Sequence, residues 1–176
     1  VIGSPDPHGP LKARARDAHL AVELAAFIGS MVESFSFPLV FLDTQIESLE
    51  KLDENLVVVG GPITNKLCGE LNNSLPVRFS PNGGHYLVHS TLSKRDYSED
   101  AIGLIEKVKH PFFENREILL VAGNRNAGTK AAIVALVKNI DDLIRGNEFN
   151  EKKDAKVVEG LDLDGDGEID NVEVKE

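Results

Sequence analysis

One cysteine, one methionine, two tyrosines and no tryptophan stand among 176 residues. A single thiol, Cys68, excludes an internal disulfide. It falls on a segment with helical spacing, where core packing is the expected role rather than nucleophilic attack. No apolar run approaches the roughly 20 residues needed to span a bilayer, so membrane insertion is not expected. Positive charge is scarce: 19 Lys and Arg oppose 29 Asp and Glu, a net charge of −10. That balance argues against direct nucleic-acid binding by this chain. There is no internal repeat, no low-complexity stretch and no G-x-G-x-x-G fingerprint.

Hydrophobic residues make up 41% of the chain, enough for a real core. The length suits one domain with a small appendage. The boundaries read as an α/β Rossmann-like domain over 1–150 and a calcium-loop hairpin over 151–176. The chain opens Val1-Ile2-Gly3, which resembles the end of a strand. This predicts the C-terminal part of a longer protein.

Three strand–loop–helix junctions organise the body. Val1-Ile2 runs into G-S-P-D-P-H-G-P and a helix expected over Leu11 to Glu33, with Pro10 in its first turn. Leu56 to Val59 is apolar on both faces, as a buried parallel strand is. Gly60-Gly61-Pro62 and a helix to Leu71 follow it. Ile118 to Ala122 precedes the loop Gly123 to Gly128 and a helix over Thr129 to Ile144. Further strands are expected at Pro38 to Leu42, Val77 to Ser80, Tyr86 to His89 and Ala101 to Val108, with a turn at Pro81 to Gly84. Strands alternating with helices predict an α/β three-layer sandwich with a mostly parallel sheet.

In such a fold the loops after the strands gather on one edge, where helix N-termini attract anions. The candidate ligand residues are Ser4, Asp6, His8 and Gly9 from the first loop. Gly60, Gly61 and Asn65 come from the second, and Asn124, Arg125, Gly128 and Thr129 from the third. Tight turning and helix capping explain the same glycines without a ligand. Gly123 to Lys130 approaches a P-loop but exchanges its Lys and Thr, so Lys130 would not reach the terminal phosphates in the usual way. No nucleophile elbow surrounds Ser4. A metal or catalytic role for His8 with Asp6 is a weaker alternative to simple hydrogen bonding.

The most explicit chemistry lies in D-L-D-G-D-G-E-I-D-N-V-E, residues 162 to 173. Asp162, Asp164 and Asp166 occupy positions 1, 3 and 5 of a twelve-residue calcium loop. Gly167 stands at the sharp turn, Glu168 offers its carbonyl, Asp170 reaches through water, and Glu173 closes the shell. The flanks read as short strands rather than EF-hand helices. A Ca2+-clamped hairpin is therefore expected, folding when the metal binds.

Asn55 to Leu71, N-L-V-V-V-G-G-P-I-T-N-K-L-C-G-E-L, resembles the strand–GGP–helix element of the archaeal surface-layer-protein C-terminal homology family. Leu119 to Val137 is similar to a second element of that family, and V-V-E-G-L-D-L-D-G-D-G-E-I-D resembles tails of such proteins. The opening G-S-P-D-P-H-G-P is similar to a variant that follows winged-helix DNA-binding domains in archaeal regulators. A regulator relative implies a cytoplasmic effector or dimerisation domain. Taken with the calcium loop and the glycine-bearing loops, this gives a ligand-sensing or oligomerisation domain stabilised by one structural Ca2+, expected to form a homo-oligomer and to take a small anionic ligand. A surface-layer relative implies a structural module at the cell surface. Neither resemblance implies catalysis. The regulator-type reading is taken first, with the envelope module as its alternative.

Overall fold

In the computed structural model, residues 1–34 and 37–176 are described. Five strands form the main sheet: β1 (Leu56–Val59), β5 (Ile102–Lys109), β6 (Glu117–Gly123), β7 (Asp154–Leu161) and β8 (Asn171–Val174). Their order is β1-β6-β5-β7-β8. A second sheet joins β2 (Val77–Asn82), β3 (His85–Ser90) and β4 (Asp96–Tyr97) in that order. The helices are α1 (Ala18–Gly29), α2 (Lys66–Leu71), α3 (Asn126–Lys138) and α4 (Ile140–Leu143).

The mostly parallel, Rossmann-like sandwich is thereby overturned. Among the described residues, β1 with β6 is the one parallel pair of named strands, and every other pair of named strands is antiparallel. Isolated bridges from Ile2 to Leu42 and Val59 are parallel. The physical reason lies in the connections. Lys109 pairs with Glu117, so β5 and β6 are joined by a short reversal, which only antiparallel neighbours allow. The α3–α4 connection does link two strands running the same way, β6 and β7. However, β5 lies between them and pairs antiparallel with both. A helical crossover fixes relative direction, not adjacency.

Other expectations shift as well. The helix over Leu11 to Glu33 shortens to Ala18–Gly29. Pro10 instead follows Gly9 in a tight turn closed by the Lys12 N–H donating to the Gly9 carbonyl (3.2 Å). Pro38 to Leu42 forms no named strand. Leu42 makes only an isolated bridge to Ile2, which also bridges Val59. The Thr129–Ile144 helix starts earlier, at Asn126, and divides into α3 and α4.

Period-two alternation directs the main sheet into two cores. Ile118, Leu120 and Ala122 of β6 join Val58, Leu104 and Val157 beneath α2 and the small sheet. Val121 joins Val59, Ile105 and Val158 beneath α3 and α1. Full burial of such side chains stabilises by about 1.5–3 kcal/mol each. Cys68 sits wholly buried in the first core, and burial pushes its thiol pKa far up, which removes thiolate reactivity. The β2–β3 hairpin closes through Gly83 and Gly84, both at positive φ, as its turn requires. At the outer edge of β2, Asn72 accepts from the Phe79 N–H and donates to the Phe79 carbonyl, both at 2.8 Å.

The strands flanking the acidic loop are integral to the main sheet. β7 pairs with β5 from Ile102↔Glu159 to Lys107↔Asp154, and β8 pairs with β7.

Candidate functional site

The three glycine-bearing loops lie against one another. The Gly60 N–H donates to the Val121 carbonyl (3.0 Å), joining the second loop to the strand that feeds the third. The Gly61 carbonyl accepts from the Thr64 and Asn65 N–H groups. Asn65, fully buried, caps α2 by accepting from the Leu67 N–H (3.0 Å) and donates to the Val59 carbonyl (2.9 Å).

The first loop folds back as a small hairpin, with the Ala15 N–H donating to the Ser4 carbonyl and the His8 N–H to the Ala13 carbonyl. Its centre is a residue that sequence reasoning missed. Asp43 is fully buried in a 3₁₀ turn, Asp43–Gln45. Its carboxylate accepts from the Ser4 N–H (2.8 Å) and the Lys66 N–H (2.9 Å), and lies 3.1 Å from His8 Nε2. His8 Nε2 also meets the Thr64 carbonyl at 3.1 Å, and Nδ1 meets the Asp6 carbonyl at 2.8 Å. Both ring nitrogens therefore face acceptors, and the cationic form fits best. The bond to the Asp6 carbonyl, then the Asp43 charge and the Thr64 carbonyl, raise the His8 pKa against the opposing effect of burial. Asp43 and His8 thus tie the first loop to the start of α2. Asp6 contributes its backbone to this arrangement, and Gly9 lies in the exposed turn beyond it.

The third loop reaches elsewhere. Asn124 donates to the Tyr97 and Glu99 carbonyls at 3.0 and 3.1 Å. Arg125 lies 3.4 Å from Asp100 and 2.8 Å from His85 on the β2–β3 hairpin. Gly128 lies where α3 crosses β5, with a Cβ position 2.0 Å from the Ile102 carbonyl oxygen, and Thr129 beside it is buried. The loops lie side by side, and Asp43, His8, Asn65 and Asn124 bond neighbouring segments, while Arg125 and Asp100 are exposed.

The acidic loop is built differently. Gly165 and Gly167, both at positive φ, turn the chain so that their N–H groups donate to Asp162 at 2.7 and 2.9 Å. The Asp166 N–H donates to Asp164 (3.2 Å) and the Glu168 N–H to Asp166 (2.8 Å). The Gly167 N–H foremost, with those of Gly165 and Asp166, holds the Asp162 pKa below the usual carboxylate range. Oxygens of Asp162, Asp164 and Asp166 lie within 4.8 Å of one another. The other three candidate ligands have different partners. Glu168 pairs with Lys130 of α3. Asp170 accepts from the Leu163 N–H (3.2 Å), while its carbonyl accepts from Lys138 (2.6 Å). Glu173, on β8, lies 3.3 Å from Lys175. Among the described residues, the three aspartates are the carboxylates grouped in this way, and Lys130 and Lys138 of α3 bond Glu168 and the Asp170 carbonyl.

No helix among the described residues is long and apolar enough to cross a membrane. Residues 31–140, from the end of α1 through α3, match the family described as S-layer like family, outer domain. An S-layer protein of Methanocaldococcus jannaschii is 31% identical over 107 residues, covering 61% of this chain and 16% of that protein. A second protein of that organism, described as uncharacterised, is 30% identical over 93 residues, covering 52% of this chain and 18% of its own length. The matched segment thus spans less than a fifth of either relative. These similarities do not support the winged-helix regulator variant, the ligand-sensing reading or the cytoplasmic placement. They favour the reading held as the alternative, and the chain belongs to the S-layer like family, over its outer domain.

Proposed function

We propose that this chain is a structural module of a surface-layer-type cell envelope. The family match over residues 31–140 carries the reading, and the similarity to an S-layer protein supports it. The loop edge is consistent with it. Asp43, His8, Asn65 and Asn124 join segments of the module to one another. Such a site favours rigidity over turnover. Immunogold labelling of intact cells of the encoding organism tests the placement. Label on the outer face is expected, and label that appears only after lysis overturns the proposal.

The acidic loop serves this role as a Ca2+ clip. Asp162, Asp164 and Asp166 form its base, and Glu168 supplies a carbonyl. Asp170 and Glu173 join by leaving the Leu163 N–H and Lys175. Binding relieves repulsion among carboxylates and stiffens the β7–β8 connection. Calcium at one hundred times its dissociation constant stabilises by about 2.7 kcal/mol. For a chain of this size that raises the melting midpoint by roughly 5–10 °C. Differential scanning calorimetry with calcium and then with a chelator reads the shift. Asp162→Asn with Asp164→Asn removes it if the loop is responsible. An equal shift in that double variant places the ion elsewhere.

A further inference from the structure

Helix α1 is apolar on two opposite sides, and the described chain covers one of them. Leu20 and Leu24 are buried in the second core, where α1 lies against α3, with Phe27 and Ile28 packed beside them. At about 100° per residue, Ala18, Val22, Ala25 and Ala26 fall on the opposite side. All four are exposed, Val22 by 67%. His19 and Glu23 are the only polar side chains in the helix, and they follow one border of this stripe. A helix that is apolar all round is normally covered all round. Past its end, Met31 and Val32 are 55% and 45% exposed.

Charges flank the helix at matching distances. Arg14 stands four residues before Ala18, and Glu33 stands four residues after Gly29. Lys12 and Arg16 accompany Arg14. The side chains of Lys12, Arg14, Arg16, Glu23 and Glu33 are all exposed, and none makes a hydrogen bond or ion pair with a described residue. Basic groups before a helix and an acidic group after it run against the helix dipole, so α1 does not itself account for them. Turned end for end, the same pattern complements itself.

We propose that the exposed side of α1 is the contact face for a second copy of this chain, the two helices packing antiparallel about a twofold axis at the helix centre. Residues equally far from the two helix ends then face each other. Val22 stands opposite Ala25, a larger side chain against a small one, and Arg14 stands opposite Glu33 at each end. Two copies carrying a net charge of −10 repel over most of their surface. Here three free cations meet two carboxylates, so the charges attract. The apolar stripe supplies the affinity, and the end charges set the antiparallel order. The inference deepens the reading of the chain as a structural module by naming one contact between copies. Its test is made in solution and is independent of where the chain lies in the cell, so the two readings fail separately.

Sedimentation equilibrium on the full chain is the test, with a chelator present so that the acidic loop plays no part. The 19.2 kDa chain is expected to form dimers. Val22→Asp sets two carboxylates near the twofold axis and is expected to weaken the dimer by at least roughly tenfold. Ala26→Lys is a second probe of the same face, and circular dichroism confirms that each variant is folded. Arg14→Glu and Glu33→Arg are each expected to weaken the dimer by roughly three- to tenfold, and the two combined in one chain to restore it. A wild type that stays monomeric at millimolar concentration overturns the proposal. So does a dimer indifferent to both Val22→Asp and Ala26→Lys, which uses another face. A combined variant no tighter than either single one refutes the antiparallel order and with it the proposal.

Discussion

Replacing Asp43 with alanine is expected to destabilise the module by about 3–5 kcal/mol, the usual cost of removing one member of a buried charge pair. The loss is large because three groups depend on one carboxylate. The Ser4 and Lys66 N–H groups lose their acceptor, and His8 loses its counter-charge. Urea unfolding followed by circular dichroism measures the change, and a loss below 1 kcal/mol refutes the role given to Asp43. The pH dependence supplies an independent check. The His8 pKa is raised in the folded state above its ordinary 6.5. Its contribution is therefore fully present below pH 6.5 and is lost as pH rises through the folded value. Wild type should lose this part of its stability above pH 6.5. Asp43→Ala should flatten that slope, and His8→Asn should abolish it.

Gly128→Ala is expected to be comparably damaging. A Cβ there would stand 2.0 Å from the Ile102 carbonyl oxygen, 2.7 Å from the Ile102 carbonyl carbon and 3.0 Å from the Gly123 Cα. All three are backbone atoms, so no rotamer change relieves the contact. Either α3 lifts from β5 and β6 or the strand bends. Overpacking against side chains costs about 1–3 kcal/mol, and a collision with backbone should exceed that range. Gly29→Ala provides the internal control. Nothing lies within 4 Å of its Cβ position, and it ends α1. That substitution is expected to be neutral or to stabilise by up to about 1 kcal/mol. Equal melting midpoints for the two variants would mean that the close approach of α3 is not what requires glycine at 128.

These two positions show where the sequence was informative and where it was silent. The apolar run Leu56–Val59 reads as a strand buried on both faces, and it is the strand that pairs parallel with β6. The Asn82-Gly83-Gly84-His85 reversal is equally legible, because two adjacent glycines leave few other conformations. Asp43 was illegible. It follows the apolar residues Leu39 to Leu42 without any motif, and its partners stand at residues 4, 8 and 66. Only the fold brings those positions together. Gly123 and Gly128 were open to two readings. Spacing that resembles a phosphate cradle also serves a helix that must approach two strands closely. Pro10 was ambiguous for a similar reason, since its fixed φ suits both the first turn of a helix and the second residue of a tight turn.

The sheet topology was the largest error, and its source is specific. Hydrophobic alternation located β5, but alternation says nothing about a strand's neighbours. The hairpin strands on either side of the acidic loop were legible, and their place in the main sheet was not. The spacing of Asp162, Asp164 and Asp166 predicts a cation loop, whereas the pairing of β7 with β5 depends on contacts 47 to 57 residues apart along the chain.

The amide of Asn72 has a further consequence for the small sheet. It satisfies both backbone groups of Phe79 on the outward rim of β2, and two residues on, Pro81 has no N–H to offer. An incoming extended peptide would find that border already occupied, so the small sheet resists growing by recruitment from adjoining molecules. In the envelope array proposed above, this rim favours contact between neighbours through side chains rather than through a shared main-chain ladder.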